Sequence, residues 1–286
     1  MASSETSQWK AYNYNPSLAA AVVFIVLFLI VSIIHVFYLI RTRTLFFIPF
    51  IIGGLFETVG YIGRAMSAQQ SPNWALGPYI MQSTLTLVAP ALFAASIYME
   101  LGRIIRVVHG EQLALVRVTW MTKFFVAGDV LSFLMQATGA GVLASSHSST
   151  NSTGTHIIVG GLFLQLIFFA FFLASAITFQ RRIQKHPTPE SVADYIPWTK
   201  HMMALHTSSV VILIRSIFRV IEYLQGQDGS LLSTETYLYI FDASLMFLVM
   251  VTFIYIHPSE INCLLGKGHR HVTRGGLALT EFKMGV

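Results

Sequence analysis

Seven long runs of apolar residues divide the chain, and no other feature restricts its possible folds as strongly. A helix needs about 20 apolar residues to cross the hydrocarbon core of a bilayer, and each run has that length. The runs, called spans one to seven below, are predicted at 17–40, 45–67, 79–101, 120–143, 156–179, 202–224 and 237–256. They are too long, and lack the alternation, for strands of a membrane β-barrel.

Composition also favours a membrane protein over a soluble one. Only 11% of the 286 residues are charged and 54% are hydrophobic, whereas soluble domains carry about 25% charged residues. The sequence therefore predicts an all-α, polytopic membrane protein with seven transmembrane helices. We divide it into an N-terminal segment 1–16, a helical bundle 17–256 and a C-terminal tail 257–286.

Basic residues are distributed unequally between the two sides of this predicted bundle. Fourteen of the 18 Lys and Arg residues lie in or beside the connections after spans one, three and five, or in the tail. Because the basic side of a membrane protein faces the cytosol, we expect an extracellular N-terminus and a cytosolic C-terminus. The glycosylation sequon Asn151-Ser152-Thr153 lies on the predicted outer side, in agreement. This distribution accounts for the net charge of +5 without a nucleic-acid partner.

Ionisable side chains inside the spans are the best candidates for functional residues, since a charge in the bilayer is costly unless it is paired. Helical spacing places them on polar stripes together with other polar side chains. The stripes are Glu57, Tyr61 and Arg64 in span two; Asp129, Ser132 and Gln136 in span four; Arg215, Arg219 and Glu222 in span six; and Tyr239 and Asp242 in span seven. We expect the four stripes to face one another.

Two interpretations of these stripes remain open. They form either a structural ion-pair network between helices, or a polar cavity that receives the head group of an amphiphile while apolar walls receive its chain. No His-x-x-x-His pattern occurs within a span, and there is no nucleophile elbow or phosphate-binding glycine loop. The single cysteine, Cys263, excludes an intramolecular disulfide and a cysteine-based metal cluster. We therefore predict no metal, no cofactor and no catalytic residue.

The ordered set of polar and glycine positions resembles the fungal RTA-like family. That family is named for resistance to aminocholesterol and is also called the lipid-translocating exporter family. The resemblance covers spans two to seven, and its clearest part is Glu57-Thr58-Val59-Gly60-Tyr61-Ile62-Gly63-Arg64. Further matches are Ala89-Pro90, Tyr98, Leu101-Gly102-Arg103-Ile104, Asp129, Ser132, Gln136, Gly139, Gly141, Gly161, Gln165, Arg215-Ser216, Phe218-Arg219, Glu222, Glu235, Tyr239, Asp242 and His257-Pro258.

The resemblance implies a seven-span protein of the plasma membrane or an internal membrane. It implies a transporter or resistance protein for amphipathic lipids such as sphingoid long-chain bases, sterol amines or porphyrin, and the eleven stripe residues are its candidate binding site. One alternative is a seven-span lipid receptor, although Glu100-Leu101-Gly102-Arg103 stands where receptors carry Asp-Arg-Tyr. A second alternative is an intramembrane lipid-modifying enzyme that uses buried carboxylates as acid and base. The oligomeric state is left open.

Overall fold

Within the residues that the structure describes, seven helices are long and apolar enough to cross a membrane. The computed structural model describes residues 14–71, 73–145, 151–225, 234–266, 271–273 and 279–281. Its candidate spans are Leu18–Thr42, Leu45–Gln69, Leu76–Val107, Val118–Leu143, Thr153–Lys185, Trp198–Gln225 and Glu235–Tyr255. The predicted seven-helix architecture is confirmed, and the chain is a multi-pass integral membrane protein. The predicted orientation of its termini stays a prediction.

Spans two and seven each contain more than one helical type, and short elements flank the spans. Span two joins a 3₁₀ turn, Leu45–Phe47, to the α-helix Ile48–Gln69. Span seven consists of Glu235–Leu238, a π-helical segment Tyr239–Ala243, and Ser244–Tyr255. The full helices of spans four and five are Val118–Ser145 and Asn151–Lys185; the short elements are Glu111–Leu113, Pro189–Val192, Ser259–Leu264 and the antiparallel strands His271–Thr273 and Leu279–Glu281.

The helices of spans three and five extend well beyond the predicted edges. Span three ends at Val107 rather than 101, and span five ends at Lys185 rather than 179. Hydropathy marks where a helix meets lipid, whereas the helix ends only where its backbone hydrogen bonds stop. Glu100 consequently lies well inside the third helix, not at its end.

Span three occupies the middle of the bundle and packs against spans two, four and six. Span two lies between spans one and three, and span seven packs against spans six and one. Span four packs closely against span five, where Gly161 lies so near span four that an added Cβ would stand 2.8 Å from the carbonyl oxygen of Ser132. Glycine is therefore required at this close approach.

The two ends of the bundle differ in charge. We call the end at which odd-numbered spans begin the N-terminal face, and the end at which they finish the basic face. The short helix Ser259–Leu264 packs against span three at the basic face. The first residues of the predicted tail are therefore part of the folded bundle.

Candidate functional site

An ion pair between spans six and seven lies at the centre of the bundle. The Arg215 Nε donates to Asp242 Oδ1, and both side chains are buried. The Nη2 of Arg215 donates to the main-chain carbonyl oxygen of Thr86 in span three, at 2.7 Å. Pro90 lies four residues after Thr86 and has no N–H, so this carbonyl has no helical donor. Arg215 supplies that donor and links three spans.

The π-helical segment of span seven coincides with this ion pair. Tyr239–Ala243 contains Asp242, and the Oγ of Ser244 donates to the carbonyl oxygen of Tyr239 at 2.8 Å. A π segment adds a residue to the turn and so changes which face the following side chains occupy. Such segments are frequent at functional sites, and here the segment carries Asp242 into the interior.

A second buried pair lies further along span six. The Nη1 of Arg219 donates to Glu222 Oε2 at 2.8 Å, and the guanidinium carbon lies 5.7 Å from the centre of the Tyr223 ring. Asp242 also interacts electrostatically with both Arg219 and Glu222. The two ion pairs therefore belong to one charged group.

Glu57 of span two completes this group but has no hydrogen bond of its own. Its side chain is 1% exposed, and neither carboxylate oxygen has a hydrogen-bond partner. Asp242, Arg215 and Arg219 act on it electrostatically. We call Glu57, Arg215, Arg219, Glu222 and Asp242 the central cluster. Three acids face two guanidinium groups, so the cluster carries one net negative charge when all five are ionised.

Arg64, the other predicted charge of span two, belongs to a separate cluster nearer the N-terminal face. Its Nη2 donates to Glu235 Oε1 at 2.9 Å and to the Tyr14 hydroxyl at 2.8 Å, and its Nε donates to the Tyr239 hydroxyl at 3.0 Å. Both Glu235 oxygens accept from the Ser17 N–H at 2.9 Å. Burial raises the pKa of Tyr14, against the opposing effect of Arg64. This N-terminal cluster fixes the start of span one to span seven.

An aromatic layer lies between the N-terminal cluster and the central cluster. The Tyr61 ring stacks on Phe24 and Phe28, with centroid distances of 5.6 and 5.7 Å, and on Tyr239 at 6.1 Å. The Tyr61 hydroxyl is buried and has no hydrogen-bond partner. Tyr61 follows Glu57 by one helical turn, which places two buried polar groups without partners on the same face of span two.

The span-four residues make their hydrogen bonds with spans three and five or within their own helix, and the prediction that all four stripes face one another stays a prediction. Asp129 Oδ2 accepts from the Tyr98 hydroxyl of span three at 3.0 Å, and Gln136 Nε2 donates to Gln165 Oε1 of span five at 3.3 Å. Ser132 Oγ donates to the carbonyl oxygen of Gly128 in its own helix. Span four packs against spans three and five, and its polar face is turned toward them.

A cluster at the basic face was not predicted. His201 lies between two acids, with Nδ1 3.5 Å from Glu100 Oε1 and Nε2 3.2 Å from Glu260 Oε2. All three side chains are buried, and Lys200 Nζ lies 3.7 Å from Glu260. Glu100 could have been found by the rule used for the spans, had the third helix been extended correctly. Glu260 follows the last span and gives no sequence signal.

Two further histidines lie beside this cluster. The Nε2 of His35 in span one lies 3.0 Å from the carbonyl oxygen of Met250, and its ring centroid is 6.3 Å from that of His257. The Nδ1 of His257 accepts from the Ser259 N–H at 3.3 Å. Burial lowers the pKa of His257 well below its usual range, and His35 and His201 lower it further. Within the described part of the chain, no three His, Cys, Asp or Glu side chains are arranged to hold a metal ion.

Of the eleven predicted site residues, ten are buried and Tyr239 is half-buried. The fold and these contacts define the class: a seven-span membrane protein whose interior contains a charged centre with one acid that no hydrogen bond satisfies. The family model described as RTA1 like protein matches residues 50–263. The chain belongs to this family.

Relatives with curated names extend over most of the chain. Protoporphyrin uptake protein 1 of Saccharomyces cerevisiae is 38% identical, over 88% of this chain and 93% of the relative. Protein RTA1 of the same yeast is 37% identical, over 87% and 85%. Sphingoid long-chain base transporter RSB1, also from this yeast, is 27% identical, over 85% and 72%. No solved structure matches the chain.

Proposed function

We propose that the chain transports amphipathic lipids that carry a cationic head group, and that the head group binds at the central cluster. Sphingoid long-chain bases and sterol amines have this chemistry. The relatives named as a sphingoid long-chain base transporter, a probable lipid transporter of Emericella nidulans and a protoporphyrin uptake protein support amphiphile transport as a class of function.

One observation carries the proposal: the carboxylate of Glu57 is buried and has no hydrogen-bond partner. A charged group in this condition costs several kcal/mol, and a protein retains it when a ligand supplies the missing partner. The acids of the two ion pairs already have guanidinium partners. An ammonium group beside Glu57 would balance the charge of the whole cluster.

Tyr61 extends the same site by one helical turn. Its hydroxyl is buried without a hydrogen-bond partner, and it can donate to or accept from a hydroxyl group of the ligand. The stacked rings of Phe24 and Phe28 beside it are apolar surfaces for the part of the ligand next to the head group. An amine next to a hydroxyl, followed by a hydrocarbon chain, matches this order of groups.

Asp129, Ser132 and Gln136 form a second candidate contact region between spans three, four and five. Asp129 Oδ1 and Gln136 Oε1 are buried acceptors without hydrogen-bond partners. Because none of these three residues belongs to the central cluster, their loss should weaken transport without removing the charge that selects a cation. Asp129→Asn tests this contribution independently of Glu57.

The test is the efflux of a labelled sphingoid base from cells that express the protein at equal levels. Glu57→Gln should lower the efflux rate at least tenfold, whereas the exposed control Glu111→Gln should leave it unchanged. Wild-type efflux in Glu57→Gln would remove Glu57 from the site. If cells that express the wild-type protein show no more efflux than cells without it, the transport proposal is wrong.

Two further experiments with the labelled base test the other functions that the sequence leaves open. Conversion of the labelled base into a new product by purified wild-type protein, lost in Asp129→Asn, would indicate a lipid-modifying enzyme. A cytosolic partner that binds only in the presence of the base, without lipid movement, would indicate a receptor. Transport by this site requires neither a cofactor nor a catalytic residue.

A further inference from the structure

We propose that Glu57 exchanges a proton for the cationic head group, so that the chain acts as a proton-coupled antiporter. This inference rests on the proposed function and adds its energy source. In the empty state Glu57 holds the proton; in the loaded state the same carboxylate is ionised and holds the cation. The observations that carry it are the burial of Glu57, its two oxygens without partners and the charge of its neighbours.

The charge of the central cluster gives the first step of the argument. Arg215 pairs with Asp242, and Arg219 pairs with Glu222, so these four groups are neutral together. An ionised Glu57 would add one negative charge that no buried cation in the described part of the chain balances. The low dielectric of the interior makes such an unbalanced charge unfavourable. One proton on Glu57 removes that charge when the site is empty.

The charged groups that face Glu57 do not neutralise its negative charge. From span six these are Arg215 and Arg219, and from span seven Asp242. On its own helix Tyr61 interacts with it through an uncharged hydroxyl. Both guanidinium groups are already engaged by other acids. A mobile proton or a ligand cation therefore decides the charge of this carboxylate.

Three titratable groups of spans one and three, His35, Tyr79 and Glu100, have contacts with groups other than Glu57. His35 of span one contacts Met250, which is eight residues beyond Asp242 in span seven, or about 12 Å along a helix. In span three, Tyr79 interacts with Arg219 and Glu100 lies beside His201 at the basic face. These groups are placed to serve other contacts.

The exchange balances in atoms and charge. A protonated Glu57 gives its proton to water as the ammonium group arrives, and the carboxylate then accepts hydrogen bonds from the ammonium. One proton leaves for each monovalent cation that binds, so the charge of the centre is the same in both states. Transport by this exchange is electroneutral: a pH gradient drives it and the membrane potential does not.

The experiment measures proton release when a ligand binds to purified full-length protein in neutral detergent. Two probes are compared: sphinganine, at a pH where its amine is fully charged, and dodecyltrimethylammonium, which has no ionisable proton. Release is read as the heat of binding in buffers that differ in ionisation enthalpy. The expected result is about one proton per bound cation, and an affinity that rises about tenfold per pH unit while the empty site is protonated.

Two variants show which carboxyl group releases the proton. Glu57→Gln should release no proton and should lose the pH dependence of any binding that remains. Glu100→Gln removes a different buried acid, remote from the central cluster, and should release protons as the wild type does. Equal proton release in Glu57→Gln and the wild type would overturn the assignment to Glu57.

The outcomes also distinguish this inference from the function on which it rests. Saturable binding without proton release would overturn the exchange and leave cation recognition intact. Absence of saturable binding by sphinganine would overturn the proposed function itself. Binding of the neutral N-acetyl derivative as tightly as sphinganine would remove charge recognition, and with it both proposals.

Discussion

The buried acids of the central cluster differ in what their removal leaves behind. Asp242 has a guanidinium partner, so its loss leaves Arg215 charged and unpaired in the interior. Glu57 has no such partner, and its loss leaves two complete ion pairs. Breaking a buried pair costs much more than removing an unpaired group. Of two chemically similar substitutions, the one at Asp242 should therefore lower the free energy of unfolding much more than the one at Glu57.

Glu57→Gln should retain the wild-type free energy of unfolding within about 1 kcal/mol, whereas Asp242→Asn should lose about 3–5 kcal/mol. The measurement is thermal unfolding of both variants in the same detergent, followed by circular dichroism or by a dye. Asp242→Asn as stable as the wild type would show that its pair with Arg215 does not hold the spans together. Loss of stability in Glu57→Gln would give this residue a structural role.

The environment of His257 predicts how the stability of the protein depends on pH. Its Nδ1 accepts the Ser259 N–H, which only an unprotonated nitrogen can do, and its pKa lies well below the usual range because it is buried beside two other histidines. The unfolded chain binds a proton here at about pH 6.5, before the folded protein does. The folded state therefore keeps its full stability above that pH and loses it as the pH falls below.

Lowering the pH from 7.5 to 5 should decrease the stability of the wild type, by up to about 1.4 kcal/mol per pH unit for this one proton. His257→Gln should show a smaller decrease over the same range, since its side chain does not titrate. Unfolding midpoints of the two proteins at four pH values provide the measurement. Parallel curves would show that His257 does not carry the dependence.

At the scale of elements, a hydrogen bond made possible by a proline joins span three to span six. Pro90 leaves the Thr86 carbonyl without a helical donor, and Arg215 supplies one. Buried carbonyl groups without donors are costly, so the proline and the arginine are energetically coupled. The proline position in an apolar run can be read from the sequence, but the residue that compensates for it lies on another helix.

Arg215→Lys keeps the charge that pairs with Asp242 but loses the second hydrogen bond, and it should cost about 1–3 kcal/mol. In a Pro90→Ala background the restored N–H can bond to Thr86, so the same substitution should cost at least 1 kcal/mol less. Pro78→Ala is the matched control, because Pro78 lies in the first turn of the same helix. Equal cost of Arg215→Lys in all three backgrounds would contradict the coupling.

The whole molecule is organised as three polar layers along the bundle. Arg64 lies seven residues from Glu57, about 10 Å along span two, and His201 lies fourteen residues from Arg215, about 21 Å along span six. The central cluster thus has a polar cluster on each side of it. The N-terminal cluster fixes the start of span one, and the basic-face cluster fixes the helix Ser259–Leu264.

At the scale of the whole molecule, the testable prediction is the orientation of the bundle in the membrane, with the N-terminus outside and the C-terminus in the cytosol. Span five has 35 residues, or about 52 Å of helix, which exceeds the ~30 Å hydrocarbon core and leaves room for Asn151 outside it. We expect a glycan at Asn151, seen as a mobility shift that endoglycosidase removes and Asn151→Gln abolishes. A C-terminal epitope should react with antibody that is applied from the cytosolic side of the membrane. It should not react with antibody that is applied from the opposite side.

A C-terminal epitope on the outer side would reverse the predicted topology. It would leave the contacts of the central cluster unchanged, because those depend on the bundle and not on its direction. The absence of a glycan alone would not reverse it, since the sequon stands in the first turn of a helix. The epitope measurement therefore decides the orientation.

The sequence by itself determined the number of spans, their approximate bounds and the buried charges of spans two, four, six and seven. These properties are local: apolar length is additive along the chain, and helical spacing fixes which side chains share a face. The same rule applied to span one would have drawn attention to His35 as well.

Only the tertiary structure decided which charges are partners. Arg64 and Arg215 are equally plausible partners for Glu57 from spacing alone, yet Arg64 pairs with Glu235 and Arg215 with Asp242. Asp129 shares no cluster with them, because span four packs against spans three and five. The rotation of each helix and its neighbours set these contacts, and both follow from how all seven helices pack together.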